Sequence, residues 1–298
     1  MPSLKELRKR KASVQSTRKI TSAMKMLSAA KLKKAQNQVE SGRPYSDMMA
    51  RVLGSLLEKT TAFKMPPPLL VGRGKSENYL LLVIASDRGL CGGFNNNVYR
   101  MAKSISLDLL GAKRTIKMLC VGRRVRDSLK SEFGDHILET LPAFARPSFS
   151  DASIIARKII TLFEEGEIDV CQLIYSDFVS SMTQKVSVHQ LIPFTPIKKR
   201  EKEIVEEAFE KKLADRFIYE PDEEQVLNEL LPRNIAVQIY RALMENAASE
   251  HGARMTAMDN ATRNASDMIK ALELKYNRTR QAYITKELIE IISGAEAL

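Results

Sequence analysis

In this chain of 298 residues, the groups best suited to chemistry lie in one turn, Ser86-Asp87-Arg88-Gly89-Leu90-Cys91-Gly92-Gly93-Phe94-Asn95. It follows an apolar run, Tyr79–Ser86, and precedes a helical stretch near Asn97–Leu110. A phosphate bound by backbone N–H groups at a helix start would sit here. The spacing speaks against one. There is no G-x-G-x-x-G, and no Lys-Ser or Lys-Thr follows the glycines. A tight turn permitted by glycine is the favoured reading. Cys91 as a nucleophile would need a nearby base, and His136, His189 and His251 form no pattern pointing at it. No His, Cys, Asp or Glu grouping has metal-ligand spacing, and no Ser-His-Asp signature is present. These residues predict neither catalysis nor a cofactor.

The elements around the turn are of two kinds. Residues 77–195 alternate strands and helices: Tyr79–Ser86, Thr115–Gly122, Asp169–Tyr175 and Val186–Pro193 read as strands. The stretch Arg123–Phe133 and the amphipathic Asp151–Glu164 read as helices. That order predicts a small, mainly parallel α/β sheet of Rossmann-like type. The two ends read as long helices. Ser3–Ser41 holds no proline or glycine, and after Arg233 the only glycine before Gly294 is Gly252.

Val14, Ile20, Met24 and Leu27 mark one face of the first helix, continued by Leu32, Ala35 and Val39. Gly42, Arg43 and Pro44 are expected to kink or stop it, before Ser46–Lys59 regains helical character. In the last helix Met255, Met258, Thr262, Ala265, Ile269, Leu272, Tyr276, Thr279 and Tyr283 alternate spacings of three and four, a heptad seam. Ala247, Ala248, Ala253, Ala257 and Ala261 flank it and permit close approach. The predicted architecture is therefore an antiparallel coiled coil of the terminal helices carrying an inserted α/β domain. Its parts are residues 1–60, the α/β domain 77–195, a charged connector 196–232, and the C-terminal helix 233–298.

Charge narrows the partners. The net charge is +11, and residues 1–43 carry twelve Lys or Arg against Glu6 and Glu40, leaving +10. From Arg233 onward nine basic residues meet eight acidic ones. The basic end suits nucleic acid, an anionic membrane or an acidic protein. A basic nucleic-acid-binding coiled coil would need aromatic or groove-reading groups, and no aromatic residue precedes Tyr45. A nucleotide-dependent enzyme lacks its phosphate motif. A membrane-surface helix lacks aromatic anchors. The three cysteines, Cys91, Cys120 and Cys171, sit in or beside apolar runs and read as reduced thiols. No run approaches the ~20 apolar residues of a membrane span.

Three stretches resemble the gamma subunit of F-type ATP synthases. They are Lys19-Ile20-Thr21-Ser22-Ala23-Met24-Lys25-Met26 with Ala30-Lys31-Leu32, the Ser86–Asn95 turn, and Ala248-Ser249-Glu250-His251-Gly252-Ala253-Arg254-Met255. Asn260-Ala261-Thr262, Tyr276-Asn277-Arg278-Thr279-Arg280-Gln281 and Thr285-Lys286-Glu287-Leu288 continue the last one in the family's order.

The resemblance implies a non-catalytic central-stalk rotor. In that family the terminal helices turn inside a ring of alpha and beta subunits, while the middle domain meets the epsilon subunit and the membrane ring of c subunits. Proton flow turns the c-ring, and the off-axis shaft drives each beta subunit through different nucleotide affinities. By motif match Met24, Lys25 and Met26 fall near an acidic loop of the beta subunit, which the basic N-terminal helix would complement. Arg254, Arg280, Gln281, Thr285 and Glu287 fall at ring contacts. Phe217, Tyr219 and Glu220 fall at the foot, near the c-ring and epsilon. No cofactor, metal or nucleic acid is implied, an inhibitor protein is a further candidate partner, and the membrane is met only through the c-ring. Residues 195–232 lack cysteine, so the redox switch of chloroplast members is not expected. The start at Met1-Pro2-Ser3-Leu4 suits a bacterial member at the cytoplasmic face of the inner membrane.

Overall fold

A computed structural model describes residues 3–59, 67–144, 146–194 and 223–296. Two helices dominate it. Helix α1 runs Leu4–Lys59, and the last helix, α6, runs Glu223–Glu296. Their 56 and 74 residues correspond to about 84 and 111 Å at ~1.5 Å per residue.

They lie antiparallel, with the register set at several levels. Lys11 pairs with Glu273 at 2.9 Å and Lys25 with Asp259 at 2.6 Å. Leu32 and Ala35 pack on Ala248, and Met49 and Leu53 pack on Leu227 and Leu231. The α6 seam follows the predicted heptads: Met258, Ala265 and Ile269 are buried, while Tyr283 is exposed. On α1 the phase differs from expectation. Thr21 and Ser28 are buried, whereas Ile20 and Leu27 are 57% and 64% exposed. A heptad line through Leu7, Val14, Thr21 and Ser28, continued at spacings of four, three and four by Leu32, Ala35 and Val39, accounts for this, because it keeps one face toward the partner.

Neither proline ends its helix. Helix α1 passes through Pro44, and α6 starts at Glu223, inside the expected connector, and passes through Pro232. An internal proline costs about 3 kcal/mol or more. Val39, Met49 and Leu53 flank Pro44, and Leu227, Leu231 and Ile235 flank Pro232, all of them buried. Each such side chain contributes roughly 1.5–3 kcal/mol on burial, enough to hold the helices through the break.

Between them lies a five-stranded sheet: β1 (Asn78–Ile84), β2 (Thr115–Val121), β3 (Ile137–Leu141), β4 (Val170–Phe178) and β5 (Gln184–Ile192). Its order is β3-β2-β1-β4-β5, parallel except for β5, which pairs antiparallel with β4. Strand β3 was not expected. It is five residues long at a sheet edge with no fully buried position, so it carries no continuous apolar run.

Helices α3 (Phe94–Gly111) and α4 (Arg123–Phe133) cover one face, and α5 (Phe149–Glu164) the other; a short helix, α2, spans Pro68–Val71. Alternate residues of β1 divide between the faces. Leu81, Val83 and Ala85 meet Val98, Ala102, Val125 and Leu129. Leu80, Leu82 and Ile84 meet Ile155, Ile159 and Phe163 of α5. Ile235, Ala236, Ile239, Ala242 and Leu243 of α6 join this second core. The rod helix is thus also a layer of the α/β body.

Gly122, between β2 and α4, has φ +106°, and an added Cβ would lie 2.8 Å from the Ala85 carbonyl oxygen. Gly122→Ala should destabilise the chain by about 2–5 kcal/mol, combining backbone strain with overpacking against main chain that cannot yield. The urea unfolding midpoint measures this.

Candidate functional site

The carboxyl ends of β1 and β4 open toward α6. In doubly wound sheets a ligand binds at such a place, where strand order reverses. Here the order reverses at β1, between β2 and β4, and the crevice holds the chain's own helix. Asn246 Nδ2 donates to the Ala85 carbonyl at 3.4 Å and Ser249 Oγ to the Ser176 carbonyl at 3.1 Å. Thr256 Oγ1 donates to the Ser181 carbonyl at 3.2 Å. At Gly252 a Cβ would lie 3.2 Å from that same oxygen, so the missing side chain lets the loop after β4 close onto the helix. The remaining hollow is about 210 Å³ and is lined by Gly92, Gly93, Asn97, Ser176, Thr256 and Asn260, among others. That is below the ~300–1,000 Å³ of ordinary ligand pockets.

The Ser86–Asn95 turn is bonded to itself and to its surroundings. Ser86 N–H donates to Asn95 Oδ1 at 3.1 Å, and Asn95 Nδ2 donates to Cys91 Sγ at 3.2 Å. Asp87 Oδ1 accepts the first N–H of α4, from Arg123, at 2.8 Å, so this carboxylate occupies the positive end of that helix. Burial pushes the Cys91 thiol up, against the pull of Arg254. It therefore stays protonated at neutral pH, unsuited to nucleophilic attack. Burial likewise pushes Cys120 up to about 12 and Cys171 higher still. His251 is held down to about 4 by burial, with Arg254 and Lys31 adding to it. Among the described residues no group of three His, Cys, Asp or Glu could hold a metal ion, and no helix is long and apolar enough to cross a membrane.

The other exposed features belong to the rod. The level matching Leu4 of α1 falls near Arg280 of α6, since Lys11 lies beside Glu273. From Gln281 to Glu296, sixteen residues or about 24 Å, α6 runs on alone. This tip exposes Tyr283, Ile284, Leu288, Ile289, Ile291 and Ile292.

The family model described as ATP synthase matches residues 3–298. ATP synthase gamma chains of Paramagnetospirillum magneticum and Rhodospirillum rubrum are each 48% identical to this chain, and that of a Methylobacterium strain is 50% identical. Each comparison spans 100% of both chains. The chain belongs to the ATP synthase gamma family. Its role is that of a central-stalk subunit. A central-stalk chain of Tetrahymena thermophila mitochondrial ATP synthase aligns at TM-score 0.60 and 26% identity, over 81% of this chain and 99% of that one. A rotor chain from Euglena gracilis aligns at TM-score 0.66 and 17% identity, over 94% and 98%, and supports the same fold.

Within this gamma-type chain the sequence-predicted residues separate into distinct places. Arg280, Gln281, Thr285 and Glu287 are exposed and gather at the tip. Met26 is exposed, Met24 half-buried, and Lys25 is engaged by Asp259, whose other oxygen takes Arg263 at 2.8 Å. Arg254 is far from the tip and only 9% exposed. Its Nη2 pairs with Glu250 at 2.7 Å and donates to the Gly89 carbonyl at 3.3 Å, clamping the turn onto α6. Phe217, Tyr219 and Glu220 lie outside the described residues.

Sequence reading missed the seat itself, formed by Asn246, Ser249, Gly252 and Thr256. Its signal was the Ala248–Arg254 motif, whose small and polar types suit close contact with backbone carbonyls. Replacing Arg254 by Met would leave the half-buried Glu250 without its paired cation, which costs less than the ~3–5 kcal/mol of a fully buried pair. The Ser86–Asn95 amides should then exchange faster while those of α3 stay protected, as hydrogen exchange would show.

Proposed function

We propose that the chain is the non-catalytic rotor of a proton-translocating ATP synthase. It conveys c-ring rotation to the catalytic ring of alpha and beta subunits, at the cytoplasmic face of a bacterial inner membrane. One observation carries this reading: a continuous two-helix rod, about 84 Å long where paired, ends in a single-helix tip with an apolar surface. Two paired helices resist twisting better than one. An off-axis rod touches its surroundings differently at each angle, and such differential contact is what any conformational shift requires.

The partners follow from the relatives. One structural neighbour was solved as a central stalk with its c-ring, and another Euglena gracilis chain within an assembly of F1 and c-ring. On this reading Met26, Arg280, Gln281, Thr285 and Glu287 face the ring, with Met24 and Lys25 beside them. Phe217, Tyr219 and Glu220 reach toward epsilon and the c-ring. Arg254 acts inside the chain, as the clamp that keeps the α/β body on the rod.

Met26 offers a test because its side chain is 68% exposed. In the assembled complex, a disulfide from Met26→Cys to a cysteine placed in the facing beta subunit should stop ATP turnover and ATP-driven proton pumping, at least tenfold. Reduction should restore both. Undiminished turnover in fully cross-linked complexes would reject the rotor assignment.

A further inference from the structure

The contact between the α/β body and α6 holds a cluster of ionisable side chains that torque transmission does not require. Glu245 of α6 is 2% exposed. Its Oε1 accepts from Arg241 Nε at 2.9 Å, while Oε2 is buried and has no hydrogen-bond partner among the described residues. Asp177 of β4 faces it within hydrogen-bonding reach. A carboxylate oxygen without a donor is costly in such a place. One proton held between two carboxyl groups removes that cost.

We infer that Glu245 and Asp177 form a proton-sharing pair at the seat of the body on α6, so that seating is firmest at low pH and loosens as pH rises.

The surrounding groups leave this pair as the element that titrates. On α6, Arg241 supplies one positive charge against two carboxyls. On β4, Tyr175 is pushed up by burial first and then by the nearby Glu245 charge, so it stays neutral. On β5, His189 packs on Tyr175 with ring centroids 5.6 Å apart, and burial and Arg241 hold it below its usual value. It is therefore neutral above pH 6.5. Lys185, opposite Asp177 in the β4–β5 ladder, is exposed. Helix α1 meets this turn through Gly42 beside Met244, and β1 through the Ala85 carbonyl.

Burial first, then Asp177, raises Glu245 from 4.5 to about 7, against the pull of Arg241. A raised carboxyl pKa means the seated state holds a proton that the unseated state has released. The stabilisation is complete below pH 4.5 and is lost as pH rises through about 7. Above that, Glu245 is a buried negative charge beside the half-buried Asp177.

Hydrogen exchange on the full chain, at pH 6 and pH 8 and normalised for intrinsic amide rates, tests this. Protection of residues 170–178 and 241–249 should fall about tenfold between the two pH values. Infrared difference spectra should show one protonated carboxyl disappearing over the same interval. Glu245→Gln should abolish both changes. If that variant does not fold, Asp177→Asn should move the carboxyl transition to lower pH, because Glu245 then faces Arg241 alone. Persistence of the pH dependence in Glu245→Gln would overturn the inference. So would an unmoved transition in Asp177→Asn, or the absence of any carboxyl titrating between pH 6 and 8.

Discussion

Helix α6 is covered on two sides over one stretch, and the architecture depends on that. From Asn234 to Ser249 nearly every residue is buried, and none is exposed. Helix α1 covers one side and the sheet with α5 covers the other. A helix without a polar face stays helical and in place only where both coverings persist. The body therefore cannot slide on the rod without uncovering Ile235, Ile239 and Leu243, each worth roughly 1.5–3 kcal/mol. Rotation imposed on the body reaches the rod through this packed layer.

The same arrangement explains a motif with the look of chemistry. A glycine-rich turn after the first strand, at the reversal of strand order, is where a nucleotide phosphate would bind. In this chain the position is taken by α6. The donors of Asn246, Ser249 and Thr256 satisfy carbonyls at the strand ends, and Arg254 holds the Gly89 carbonyl. The fold's ligand crevice has become an internal joint. What specifies the joint is small side chains and backbone carbonyls, so it leaves no catalytic signature.

Much of this was legible in the residues. The strands β1, β2, β4 and β5 were readable, β1, β2 and β4 most plainly, because a sheet covered on both faces buries most of their positions. The α6 seam was legible because three-four spacing from Met255 to Thr279 persists over several turns. The rest was obscured for identifiable reasons. On α1 the apolar residues Ile20 and Leu27 suggested the wrong phase, because the true seam there runs through Thr21, Lys25 and Ser28. The kink or stop expected at Gly42–Pro44 does not end α1, and α6 begins at Glu223 within the expected connector, because long-range burial outweighs local propensity. Arg254 bonds the Gly89 carbonyl within the chain, which a sequence does not show. Residues 234–249 carry no helical stripe to read, because both sides of that stretch are buried.

That inverted stretch of α1 bears on how the rod works. At its level α1 contributes polar groups to the seam, against Met258 and Ala265 of α6: Thr262 Oγ1 donates to Thr21 Oγ1 at 2.8 Å, and Lys25 reaches Asp259. The exterior is apolar, with Ile20, Met26 and Leu27 exposed. Lower down, at Met49, Leu53, Leu227 and Leu231, the order is the ordinary one, apolar inside. Apolar burial therefore holds the helices together near the body, while hydrogen bonds and an ion pair fix their register farther out. Outward-facing apolar side chains gain free energy only when something covers them. On the proposed reading a surrounding ring would supply that cover for the upper rod, while the lower rod is covered by its own partner helix. A shaft that must turn inside a sleeve is served by this division, because the contacts broken and remade on turning are non-directional ones. The directional bonds stay within the rod.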